Sequence, residues 1–142
     1  MARLDHVGVR VTDLDRAIAF YRDMFGFEML ERRMLASGEP VEAAMMKVGE
    51  ESVLFLLSNP EFVPFTPSVE GRPDHFCLTF EPDEFDAVLK RLEAAGEFKR
   101  LDCTLTPRTG ATGRTSSRYV LDPDTNQIEV KVERDDNSTI IR

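Results

Sequence analysis

Apolar and polar residues alternate through residues 4–11, Leu-Asp-His-Val-Gly-Val-Arg-Val, which predicts a strand with one buried face. Val7, Val9 and Val11 share that face; His6, Gly8 and Arg10 share the other. The period then changes to helical. Thr12-Asp13 offers an N-cap, Leu14, Ala17, Ile18, Tyr21, Met24 and Phe25 form the apolar stripe, and Gly26 suits the C-terminal cap. Residues 27–34, about 41–48 and 52–57 read as three further strands, with Ser37-Gly-Glu-Pro40 and Gly49-Glu50 as turns. The first half is therefore β-α-β-β-β.

A proline-rich connection over about 59–73 leads to a second run of the same plan. His75, Cys77 and Thr79 lie on one face of a strand, and Phe76, Leu78 and Phe80 on the other. A helix from about Asp83 to Ala95 carries Phe85, Val88, Leu89 and Leu92. Strands are expected near 97–105, 116–121 and 127–132, separated by Pro107–Gly113 and Asp122–Asn126. The halves are about 1–58 and 74–133, and residues 134–142 form a polar tail. Asp5-His6 recurs as Asp74-His75, 69 positions later (75 − 6) in a chain of 142. The chain thus reads as a duplicated module within one domain, α+β in class.

Composition narrows the function classes. At 42% hydrophobic and 31% charged the chain can bury a core without staples. A net charge of −8 argues against nucleic acid, whose phosphates call for a basic surface. No apolar run approaches the ~20 residues that span a bilayer. The opening Met1-Ala2-Arg3-Leu4 has no signal-peptide core, so a cytoplasmic location is expected. Cys77 and Cys103 make no CxxC motif.

The only two histidines occupy the same place in both copies of the repeat. In Gln127-Ile-Glu-Val-Lys-Val132, the face opposite Ile128, Val130 and Val132 carries Glu129. His6, His75 and Glu129 each lie on a strand face turned away from the helix-packed core. Two imidazoles and a carboxylate form a three-ligand set with open positions, suited to Fe2+, Mn2+, Zn2+ or Ni2+. Open positions are where a substrate or oxygen could bind. Cys77 shares the His75 face and is expected to line the cavity. Arg108, Arg114 and Arg118 precede Tyr119, and Arg108 and Arg114 are candidates to bind an anionic substrate. Arg118 alternates with Tyr119 and should face the other way. The 108–114 segment lacks the spacing of a phosphate-binding loop. Met45-Met46 reads as strand core.

Two segments resemble a known family. Residues 4–27, Leu-Asp-His-Val-Gly-Val-Arg-Val-Thr-Asp-Leu-Asp-Arg-Ala-Ile-Ala-Phe-Tyr-Arg-Asp-Met-Phe-Gly-Phe, are similar to the opening of vicinal oxygen chelate proteins. That superfamily includes glyoxalases, bleomycin-resistance proteins and extradiol dioxygenases. Residues 108–129, Arg-Thr-Gly-Ala-Thr-Gly-Arg-Thr-Ser-Ser-Arg-Tyr-Val-Leu-Asp-Pro-Asp-Thr-Asn-Gln-Ile-Glu, resemble the closing motif of its glyoxalase domain-containing, biphenyl-diol-dioxygenase-like subgroup.

The resemblance implies two βαβββ modules with mixed sheets curling around a metal-binding cleft, and metal ligands at His6, His75 and Glu129. Many relatives place a fourth ligand in the last strand of the first module, where this chain has Phe55 or a neighbouring leucine. An apolar residue cannot shuttle protons, which counts against isomerase chemistry. Tyr119 falls where dioxygenases and fosfomycin-modifying enzymes of the family place a tyrosine that reaches the substrate. Glu42 resembles in rough location the general base of fosfomycin hydrolases. A homodimer is implied, with His6 meeting His75 and Glu129 across the interface. The expected activity is that of a metal-dependent enzyme on a small oxygen-chelating substrate, dioxygenase-like or lyase-like. The alternatives are a metal-free drug-binding protein of the bleomycin-resistance type and a fosfomycin-modifying transferase or hydrolase.

Overall fold

The period-two segment at the start forms strand β1 (His6–Val11), and the helical stripe after it forms α1 (Leu14–Phe25). The Asp13 carboxylate accepts from the Arg16 backbone N–H at 3.0 Å, satisfying one of the donors a helix start leaves open. Gly26 ends the helix in a left-handed conformation (φ 73°), and its N–H donates to the Arg22 carbonyl at 2.9 Å. Strands β2 (Glu28–Met34), β3 (Glu42–Val48) and β4 (Ser52–Ser58) complete the first module. The computed structural model describes residues 1–35, 41–61, 63, 74–101 and 103–133. The expected turn at 37–40 and the polar tail lie outside the described residues, as does most of the connection between the modules.

The second module runs β5 (Phe76–Phe80), α2 (Pro82–Ala94), a short 3-10 turn (Glu97–Lys99), β6 (Thr106–Gly110), β7 (Gly113–Leu121) and β8 (Gln127–Val132). Pro82 opens α2, where its missing N–H costs no helical hydrogen bond. The chain divides into two compact units, Met1–Phe65 and Thr66–Arg142. Each holds a mixed four-stranded sheet, in the orders β1-β4-β3-β2 and β5-β8-β7-β6. In both, the first strand pairs parallel with the last, and the remaining pairs are antiparallel. The duplication therefore extends to sheet order. Among the described residues, no helix is long and apolar enough to cross a membrane.

One helix covers one face of each sheet. In the first unit Leu14, Ala17, Phe20, Tyr21 and Phe25 pack on the side of Val11, Ala44, Met46, Leu54 and Leu56, all buried. Only Met46 of the methionine pair joins this core; Met45 alternates to the His6 face, in register with Phe55. In the second unit Phe85, Val88 and Leu92 cover Leu78, Phe80, Ile128, Val130 and Val132.

The described residues of the expected strand near 97–105 form no strand. Gly96 turns the chain left-handed (φ 74°) into the 3-10 turn, and Phe98 and Leu101 are buried from irregular backbone. The expected loop at 107–113 is instead mostly a hairpin, with Arg108 opposite Thr115 and Gly110 opposite Gly113. β6 and the start of β7 carry Thr, Pro, Arg, Ser and Gly, so no apolar alternation marks them.

The Asp13 cap sets the entry angle of α1 onto the first sheet. Asp13→Ala should lower unfolding free energy by about 1 kcal/mol in urea denaturation. An unchanged midpoint would show that the cap carries no stability.

Candidate metal centre

β8 is buried at all six positions, so its polar side chains have little access to bulk water and find partners within the protein. Register places those partners. Cys77 of β5 and Tyr119 of β7 flank Glu129, and Ser117 and Thr79 flank Lys131. Glu129 is 5% exposed. The Ser117 hydroxyl donates to its Oε1 at 2.7 Å, and its Oε2 lies 3.1 Å from His75 Nε2. Because the carboxylate oxygen accepts, Nε2 carries the hydrogen in this contact. The His75 ring meets Tyr119 edge-on, with centroids 5.1 Å apart.

Arg108 sits over the Tyr119 ring, its guanidinium carbon 4.6 Å from the centroid. Its Nη1 donates to the Ser117 carbonyl (2.6 Å) and hydroxyl (3.1 Å), and its Nη2 to Cys103 Sγ (3.6 Å). Lys131 is 1% exposed, and its ammonium donates to the carbonyls of Arg108 and Thr115. Arg118 does turn to the other face, donating to the Cys103 carbonyl at 2.8 Å and lying over the Phe98 ring. Arg114 alternates in step with Arg118 and is exposed. Of the expected site residues, the second unit thus gathers His75, Cys77, Glu129, Tyr119 and Arg108, but not Arg114.

In the first unit His6 Nδ1 lies 2.7 Å from the Asp5 carboxylate, and the ring meets Phe55 edge-on at 5.0 Å. The carboxylate assigns the ring hydrogen to Nδ1, which leaves the Nε2 lone pair available as a ligand. Phe55 pairs with Gly8, two residues after His6, just as Glu129 pairs with Cys77, two residues after His75. By register, Phe55 therefore occupies the place in the first sheet that Glu129 holds in the second. Glu42 is bound through both oxygens to Arg32 (2.5 and 3.3 Å), which also reaches Asp15. The Arg32 hydrogen bonds hold the Glu42 carboxyl below its ordinary range. Within each unit taken alone, the described residues hold no group of three His, Cys, Asp or Glu side chains able to bind a metal.

Residues 3–130 match the Glyoxalase/Bleomycin resistance protein/Dioxygenase superfamily. The chain belongs to this superfamily. It is 26% identical over 129 residues to the glutathione transferase FosA of Serratia marcescens, covering 91% of this chain and 79% of FosA. It is 29% identical over 130 residues to the virulence protein STM3117 of Salmonella typhimurium, covering 90% of this chain and 82% of that protein. Among solved structures, the fosfomycin resistance protein FosX of Listeria monocytogenes, complexed with Mn(II) and sulfate, matches with a TM-score of 0.64. Identity there is 17%, with 93% of each chain covered, so that likeness speaks to the fold.

On this superfamily scaffold, burial tunes the groups around Glu129. It pushes the Cys77 thiol up to about 12, with the Glu129 charge adding to the effect. A thiol in that state is mostly protonated at neutral pH and a weak nucleophile, although Cys77 itself is exposed. Burial also raises the Tyr119 phenol, helped by Glu129 and opposed by Arg108. Lys131 is pulled down by burial against the attraction of Glu129. Ser117, Lys131 and Asp5 are participants that the hydropathy pattern did not single out. The signal for Ser117 was its place two residues before Tyr119, on the same strand face.

The phenol's shift has a consequence at alkaline pH. The folded state holds the Tyr119 proton more tightly than the unfolded chain, whose phenol keeps the ordinary value near 10. The resulting stability is complete below that value and is lost as pH rises through the higher folded one. Urea denaturation between pH 8 and 11 should show a smaller alkaline loss in Tyr119→Phe than in the wild type. Equal losses would place the phenol in an unperturbed setting.

Proposed function

We propose that this chain is a metal-dependent enzyme acting on a small, anionic, oxygen-chelating substrate, with His75, Glu129 and His6 as the metal ligands. The observation that carries the reading is the buried Glu129 carboxylate, with one oxygen accepting from Ser117 and the other converging with His75 Nε2. His75 and Glu129 would hold a divalent cation, and an imidazole–carboxylate donor set fits Mn2+, Fe2+, Zn2+ or Ni2+. Asp5 prepares His6 in the matching tautomer, and a second copy of the chain is one source from which His6 could reach the pair. When bound, the ion would supply Lewis acidity toward a substrate oxygen.

The chain's own groups supply the rest. Tyr119, held protonated by its raised pKa, donates a hydrogen bond to a substrate oxygen. Arg108 and Lys131 bring two positive charges to the face of Glu129, which favours an anionic substrate. Arg114 lies on the opposite strand face and would reach substrate only from outside this cluster. Phe55 supplies an apolar wall where a proton-carrying ligand would otherwise stand, which disfavours proton-shuttling isomerisation.

Among reaction types, addition of a nucleophile of the fosfomycin-modifying kind now ranks above ring cleavage. The similarity to a glutathione transferase supports it. A ring-cleaving reaction that needs an acid–base histidine has none left, since both histidines serve as ligands. Drug sequestration without metal fits poorly with a buried carboxylate aimed at an imidazole.

Metal-free protein reconstituted with Mn2+ and desalted should retain about one ion per chain, and His75→Ala and Glu129→Ala less than a tenth of that. Equal metal in wild type and variants would remove the proposed ligands. The reconstituted protein should consume fosfomycin, followed by phosphorus NMR, with either glutathione or water as nucleophile. No consumption with either would overturn the addition chemistry. Oxygen uptake with a catechol would return ring cleavage to first place.

A further inference from the structure

We infer that Ser117 is the positioning residue that fixes the Glu129 carboxylate for metal binding, and that Arg108 acts through it. The inference rests on the metal reading above. A serine hydroxyl has one proton to give, and a guanidinium can only donate. Arg108 Nη1 lies 3.1 Å from Ser117 Oγ, so the hydroxyl must accept there. Its single proton is then committed to Glu129 Oε1 at 2.7 Å. The same Nη1 holds the Ser117 carbonyl at 2.6 Å, so backbone and side chain are gripped together. Ser117 is 0% exposed, and no bulk water can take its place.

The result is a directional chain of donors, Arg108 to Ser117 to Glu129. It engages one carboxylate oxygen, orients the carboxylate and leaves Oε2 beside His75 Nε2. Lys131 anchors the upstream end, since its ammonium donates to the Arg108 and Thr115 carbonyls across the β6–β7 hairpin.

The duplication provides an independent comparison. Ser117 stands opposite Lys131, two residues beyond Glu129; at the matching place in the first sheet, Ala43 stands opposite Leu57, two residues beyond Phe55. Where the carboxylate gives way to Phe55, the hydroxyl gives way to Ala43. The serine accompanies the carboxylate, as expected of a group whose purpose is to hold it.

The test is Mn2+ affinity by isothermal titration, with thermal unfolding of each metal-free protein as a check on folding. Ser117→Ala should bind Mn2+ roughly 10- to 100-fold more weakly than the wild type, the usual cost of losing a residue that orients a ligand. Ser117→Thr, which keeps the hydroxyl, should restore affinity to within a few-fold. Arg108→Met should weaken binding by itself but add little to Ser117→Ala, because both act through one hydrogen-bond chain. Absence of Mn2+ binding by the wild type would overturn the metal reading itself. Wild-type binding with equal affinity in Ser117→Ala would overturn this inference alone. So would additive losses in the double variant, or a Ser117→Thr as weak as Ser117→Ala. If Ser117→Ala does not fold, Arg108→Met decides: unchanged Mn2+ affinity there contradicts the relay.

Discussion

A carboxylate buried on a strand with no exposed position must be held by other groups, and that constraint organises the second half of this protein. β8 shows no exposed position, yet every second residue along it is polar. Leaving such groups unpaired costs on the order of 1–3 kcal/mol each, more when they are charged. The neighbouring strands answer position by position. Ser117 meets one Glu129 oxygen and His75 the other, while Lys131 finds two main-chain carbonyls. Arg108 ties the serine to the aromatic body of Tyr119. Stability and chemistry draw on the same bonds here. The network that makes burial tolerable also aims a carboxylate at an imidazole.

The two modules share sheet order and register but divide the labour. Positions that hold Glu129, Tyr119, Ser117 and Lys131 in the second sheet hold Phe55, Met45, Ala43 and Leu57 in the first. One copy keeps the polar machinery; the other keeps a single histidine, oriented by Asp5, with Phe55, Met45, Ala43 and Leu57 at the matching places. An apolar set at those places satisfies packing without hydrogen bonds, so the first sheet needs no counterpart of Arg108.

Much of this was legible in the order of residues, and what was not has a physical cause. Hydrophobic alternation located β1, β5 and β8, and helical spacing located both helices; the family resemblance pointed to Phe55 or a neighbouring leucine, and the register picks out Phe55 as the counterpart of Glu129. The second half of β7 was expected near 116–121, but β6 and the start of β7 escaped because these residues satisfy their burial through hydrogen bonds of Thr, Ser and Arg side chains rather than through apolar contact. Hydropathy carries no signal of that kind. The sequence offers Arg108 as a candidate to bind an anionic substrate, and the fold engages its guanidinium with Ser117, Cys103 and Tyr119. Lys131 was placed on the polar face by its period, but only the pairing of β8 with two neighbours shows that this face is buried.

The account's central claim is that His75 Nε2 and Glu129 Oε2 converge on one metal ion. Anomalous diffraction from crystals grown with Mn2+ addresses it directly. The account predicts a single strong anomalous peak at roughly 2.0–2.3 Å from both atoms, with Ser117 still donating to the other carboxylate oxygen. A peak bound elsewhere, with the His75–Glu129 contact intact and unchanged, would contradict it.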